Sequence, residues 1–201
     1  MKSQVITSRK VFLWLNIFVS LLFLASCVQE EGKLPVKDSY SSQNREFSSA
    51  AWNYIANKEF NVHSNDLPHF EFICANGSDE SLLLLAVLSI KNNEINNRIS
   101  KEHRSEFLSS SASRSWGLKN ISTIMFGSED EKNISVDSAI HGYYDDKFKT
   151  DFINTFPICM YLIYEDSGDS RYIDRYWEVE SYCGRYLSFD YSNTIINYLL
   201  E

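Results

Sequence analysis

Ser78-Asp79-Glu80-Ser81-Leu82-Leu83-Leu84-Leu85-Ala86-Val87-Leu88-Ser89-Ile90 is the stretch whose reading decides the fold. A hydroxyl at Ser78 can cap free backbone amides, and the two carboxylates that follow face the positive end of a helix dipole. The helix behind them carries Leu82 through Leu85, Val87, Leu88 and Ile90. A break is expected at the Asn cluster (92, 93, 96 and 97), whose helix propensity is poor. Beyond it Ile95, Ile99, His103 and Phe107 recur every four residues, which reads as a second helix or the far half of a kinked one.

The same reading extends in both directions. Upstream, Phe47, Ala51, Tyr54 and Ile55 predict a helix over about 45–58. Residues 61–77 read as extended or irregular, with Pro68 disfavouring helix before it and Phe70, Phe72 and Cys74 alternating. Downstream, five serines between 109 and 115 read as a loop. A short helix then carries Leu118, Ile121, Ile124 and Met125, and 127–132 reads as an acidic surface turn. Asp145 or Asp146 can cap a helix with Phe148, Phe152, Phe156, Cys159 and Ile163 on one side, which Pro157 is expected to kink or end. After a turn at 166–169 a stripe of Tyr172, Tyr176, Val179, Cys183 and Tyr186 predicts a partner helix. The rival is a β-hairpin that includes the apolar run 158–164. Ile195, Ile196, Leu199 and Leu200 predict a closing helix.

Composition agrees with a mainly α chain. Of 201 residues only 7 are Gly and 3 are Pro, against 44% apolar and 23% charged. That excludes collagen-like, low-complexity and turn-dense all-β chains. It also leaves little material for the glycine-rich loops that cradle phosphates and dinucleotides, and no Gly-x-Ser-x-Gly sequence is present.

The N-terminus carries a different message. Lys2, Arg9 and Lys10 precede an apolar stretch from Val11 to Leu24, and no acid occurs before Glu30. Fourteen helical residues span about 21 Å, short of the roughly 30 Å hydrocarbon core, so the segment reads as a signal peptide. It ends in Leu24-Ala25-Ser26-Cys27, which resembles the lipobox of bacterial lipoproteins. The resemblance covers residues 1–27 alone. It implies cleavage between Ser26 and Cys27, acyl chains on Cys27, and stable membrane anchoring, since two or more chains hold where one does not. Position 28 is Val and not the Asp of the inner-membrane retention signal, so an outer-membrane lipoprotein is expected, on the periplasmic side or at the surface.

The expected layout is therefore a signal peptide over 1–26, a lipidated N-terminus and flexible tether over 27–44, and one globular helical domain over 45–201. Losing the three basic residues of the leader and no acid takes the charge from -8 to -11. An acidic body without a Lys/Arg cluster is a poor partner for nucleic acid.

Three cysteines remain for one disulfide. Cys74, Cys159 and Cys183 leave the pairing open, and in a straight helix pair Cys159 and Cys183 miss each other by about 10 Å. Free buried thiols are the alternative. His63, Asp66 and His69, or His141 with Asp145 and Asp146, gather ligand types without a zinc spacing and read as loop and cap residues, so no metal or cofactor is expected. A Cys–His pair of Cys74 or Cys183 with His141 is the one nucleophile arrangement left open, and His103 reads as a residue at the core margin. No catalytic residue is assigned.

Residues 143–201 hold ten of the twelve Tyr among many acids. Most of these rings belong in the core, while any at the surface would suit binding of a cationic partner. The function expected is non-enzymatic: a lipid-anchored envelope protein of the immunity or inhibitor type that captures a basic protein. A structural or assembly lipoprotein, and a small enzyme with an unrecognised site, are the alternatives.

Overall fold

A computed structural model describes residues 35–142, 149–174 and 190–201. Nine α-helices and no strand occur among the described residues. The chain divides after Tyr40, and the compact unit Ser41–Glu201 carries all that follows except the first residues of one helix. Of the first unit only the opening turns of one helix are described, and Cys27 lies outside the described residues.

Helix α1 (Pro35–Asn57) begins ten residues before the expected start, so 35–44 is not irregular chain. Pro35 stands at its first position, where a missing N–H removes no helical bond. Phe47, Ala51 and Ile55 on its inner side are fully buried. After a 3-10 turn (Ser64–Asp66), the segment read as extended contains α2 (Phe70–Asn76). Phe70, Ile73 and Cys74 are its buried residues, at helical spacing, and Phe72 is only half-buried. The alternation misled because Phe70 and Cys74, four apart, fit both periods.

Helix α3 (Asp79–Lys91) follows the sequence closely. The Ser78 hydroxyl accepts the Ser81 amide at 3.2 Å, and every residue from Ser81 to Ser89 is buried. At its N-terminal end Ser48 of α1 bonds Ser81 through paired hydroxyls 3.0 Å apart, which lets the two helices approach closely. Asn92 then breaks the chain with extended dihedrals and caps α4 (Asn93–Arg98). A π-helical turn (Ile99–His103) leads into α5 (Arg104–Ala112). The turn explains the four-residue recurrence. In an α-helix each step of four overshoots the same face by about 40°, and the wider π winding takes up that drift, so that Ile95, Ile99 and Phe107 are all fully buried.

The serine loop is shorter than expected, since α5 holds Ser109, Ser110 and Ser111, two of them buried. Helix α6 (Trp116–Phe126) starts on Ser115, whose hydroxyl accepts the Leu118 amide. It packs against α5, α7 and α8. Helix α7 (Glu129–Gly142) begins inside the 127–132 stretch read as a surface turn. Helix α8 (Lys149–Ser167) runs through Pro157 and includes 158–164, which removes the hairpin reading. Ile158, Cys159, Met160, Tyr161 and Ile163 of its second half are buried. Gly168 at φ 70° closes this helix, its N–H donating to the Tyr164 carbonyl. Residues 171–174 are helical, while Tyr176, Val179, Cys183 and Tyr186 lie outside the described residues. Helix α9 (Asp190–Leu200) packs on α8 and α3 with Ile195, Ile196 and Leu199 buried, but Leu200 is exposed.

No single described helix is long and apolar enough to cross a membrane. The α2–α3 pair has the apolar length together but is bent by 119°, and its large side chains form the core.

Candidate docking surface

The surface with the clearest chemical character is built on α7. Ser128 and Glu131 form its start: the Ser128 N–H and hydroxyl both donate to Glu131 Oε2, at 2.9 and 2.7 Å. These bonds from Ser128 hold the Glu131 carboxyl below its usual range. Glu129, Asp130 and Glu131 thus fill the first turn, where the helix dipole favours negative charge. Ser135 and Ala139 face inward, with Val136 and Ile140 half-buried against the core. Asp130, Ile134, Asp137 and His141, spaced four, three and four residues apart, face out. Ile134 is 70% exposed, the most exposed of the large apolar side chains described.

The C-terminal end of α8 continues this surface. Lys132 donates to Asp166 Oδ1 at 2.7 Å, which raises the Lys132 pKa and joins the two helices. Glu165, Asp166 and Asp174 are exposed, and Asp169 grips Arg171 through its guanidinium and backbone N–H. That guanidinium holds the Asp169 carboxyl low. Lys132 and Arg171 are each engaged by a carboxylate, and Arg104, which donates to the Phe126 carbonyl, bears on Glu131 at the start of α7. An exposed aliphatic side chain between two exposed carboxylates on one helix face, the second of them 3.1 Å from His141 Nδ1, suits a partner with basic residues around an apolar contact.

The residues singled out in the sequence are dispersed. Cys74 and Cys159 are free, buried thiols, each pushed up to about 12 by burial. Cys183 lies outside the described residues, as do Asp145 and Asp146. His63 bonds Glu94 at 2.7 Å and His69 bonds Glu46 at 2.9 Å, so they turn to separate carboxylates and not to a common centre. His141 donates Nδ1 to the Asp137 carbonyl at 2.9 Å, and no Cys–His hydrogen bond occurs among the described residues. His103 sits at the core margin, with Nδ1 3.0 Å from Glu106 and its ring edge-on to Phe70 at 5.9 Å. No group of three or more metal-ligating side chains comes together among the described residues. Of the C-terminal tyrosines, Tyr161 and Tyr198 are core residues, and Tyr164 and Tyr172 are half-buried.

Two shallow grooves lie elsewhere among the described residues. One of about 460 Å³ lies between the end of α2 and α5, lined by Asn76, Ser105, Glu106, Ser109 and Arg114. The other, about 360 Å³, is lined by Ser64, Asn65, His69, Glu71 and Arg98. In the latter, Arg98 is already held by Ser64, Asn65 and Glu71 and stacked over Phe70.

No protein-family model, curated protein or solved structure matches the chain.

Proposed function

We propose that this protein is a lipid-anchored lipoprotein of the bacterial envelope that works by binding, capturing a basic protein as an immunity or inhibitor protein does. The observation that carries the reading is the outer face of α7, where Ile134 stands exposed between Asp130 and Asp137. An acidic rim steers a basic partner into contact and fixes its orientation, while the aliphatic side chain and helix backbone supply a desolvated centre. The lipobox-like Leu24-Ala25-Ser26-Cys27 supports anchoring through Cys27, and the net charge of -8 supports selection for cationic partners.

Co-purification from envelope extracts at low and high salt tests the proposal. Full-length protein is expected to retain a basic partner at low salt, release it as salt screens the rim, and lose it in an Asp130→Lys/Asp137→Lys variant. Recovery of one partner unchanged by salt and by the double variant would count against charge-based capture.

A further inference from the structure

The connection between α1 and α2 is held by polar contacts along its length. Lys58, the residue after α1, has a positive φ of 58° and pairs with Glu201. The Asn92 side-chain amide donates to the carbonyls of Phe60 and Val62 at 3.1 and 2.6 Å. Glu94 gathers three contacts from two consecutive residues: His63 Nδ1 at 2.7 Å, and the Ser64 N–H and hydroxyl at 2.9 and 3.0 Å. Two further charged groups bear on this point. Asp66 accepts the His63 N–H at 3.1 Å, and Arg98 donates to Ser64 Oγ and Asn65 Oδ1. At the near end of the same loop, the Phe60 ring stacks on Tyr198 of α9, with centroids 4.9 Å apart.

We propose that His63 and Glu94 form a pH-responsive clasp on the loop 59–66, closed in mildly acidic conditions and loosened by alkali, whose opening withdraws Phe60 and uncovers Tyr198. The bond to Glu94, and then the charges of Glu94 and Asp66, raise the His63 pKa above its ordinary 6.5. Its contribution is complete below 6.5 and is lost as pH rises through the raised value. The bonds from His63 and Ser64 lower the Glu94 pKa from 4.5 to about 2. Its contribution is complete above 4.5 and is lost as pH falls toward about 2. The clasp is fully closed between those wings. Because His63 is exposed, the response is a graded loosening and not a global unfolding.

The test is amide exchange on the full chain, read as protection factors that remove the intrinsic pH dependence. Protection of the Ser64 amide is expected to fall about two- to fivefold from about pH 6 to about pH 8.5. Tyr198 ring resonances are expected to move in the same titration. His63→Gln and Glu94→Gln should each abolish the pH response. Constant protection in the native protein, or an undiminished fall in His63→Gln, would overturn the clasp. A fall at Ser64 with stationary Tyr198 resonances would overturn its reach to α9.

Discussion

Gly117 of α6 lies so close to Thr155 of α8 that a Cβ at position 117 would stand 1.9 Å from the Thr155 hydroxyl oxygen and 2.5 Å from its Cβ. Thr155 is itself buried, so it has little room to retreat. Gly117→Ala is expected to destabilise the fold by about 1–3 kcal/mol through overpacking, despite the better helix propensity of Ala. Denaturant unfolding reads this as a lower midpoint, and a midpoint equal to or above that of the native protein would show that the helices do not cross so closely.

Asn92 holds two elements at once. Its Oδ1 accepts the Glu94 and Ile95 amides at 3.0 and 3.1 Å while its amide group satisfies Phe60 and Val62. Asn92→Ala loses a cap worth about 1 kcal/mol and strands partly buried carbonyls at a further 1–3 kcal/mol. Asn92→Asp keeps the cap but turns a carboxylate onto those carbonyls, so it is expected to rescue little. Full rescue by Asp in equilibrium unfolding would mean that the cap alone matters.

The thiols of Cys74 and Cys159 are buried and their pKa values raised to about 12, which leaves little thiolate at neutral pH. In the native protein both are expected to resist iodoacetamide, and both to label fully in denaturant, as read site by site by mass spectrometry. Rapid native labelling of either would contradict the packing around it.

Anchoring has its own test. Cys27→Ala is expected to abolish incorporation of a labelled fatty acid and to leave unprocessed precursor. Unchanged labelling and processing would remove the lipoprotein reading.

How much of this was legible in the sequence depended on how local the physics is. Ser78 and the leucines behind it announce α3, because a cap, two acids and an apolar run agree. The break at Asn92 was legible for the same reason. What the sequence does not reveal is governed by context. Phe70 and Cys74 satisfied two periods, and only the burial of Ile73 between them decides for helix. The Ser109–Ser111 run looked like a loop because serine favours turns, yet Ser110 and Ser111 are buried within α5. Helix α7 was missed although Ser128-x-x-Glu131 is a capping-box pattern, because Ile134 breaks its apolar stripe by pointing outward. The residue that obscures the helix is the one on which the proposed docking face is built.

The most direct test of that face is site-specific photocrosslinking from position 134 of the full-length protein in its native cells. A photoreactive side chain replacing Ile134 is expected to trap one basic protein, and adding Asp130→Lys and Asp137→Lys is expected to abolish the adduct. No adduct at 134 from a folded, correctly processed protein, or an acidic partner indifferent to the two substitutions, would contradict the account.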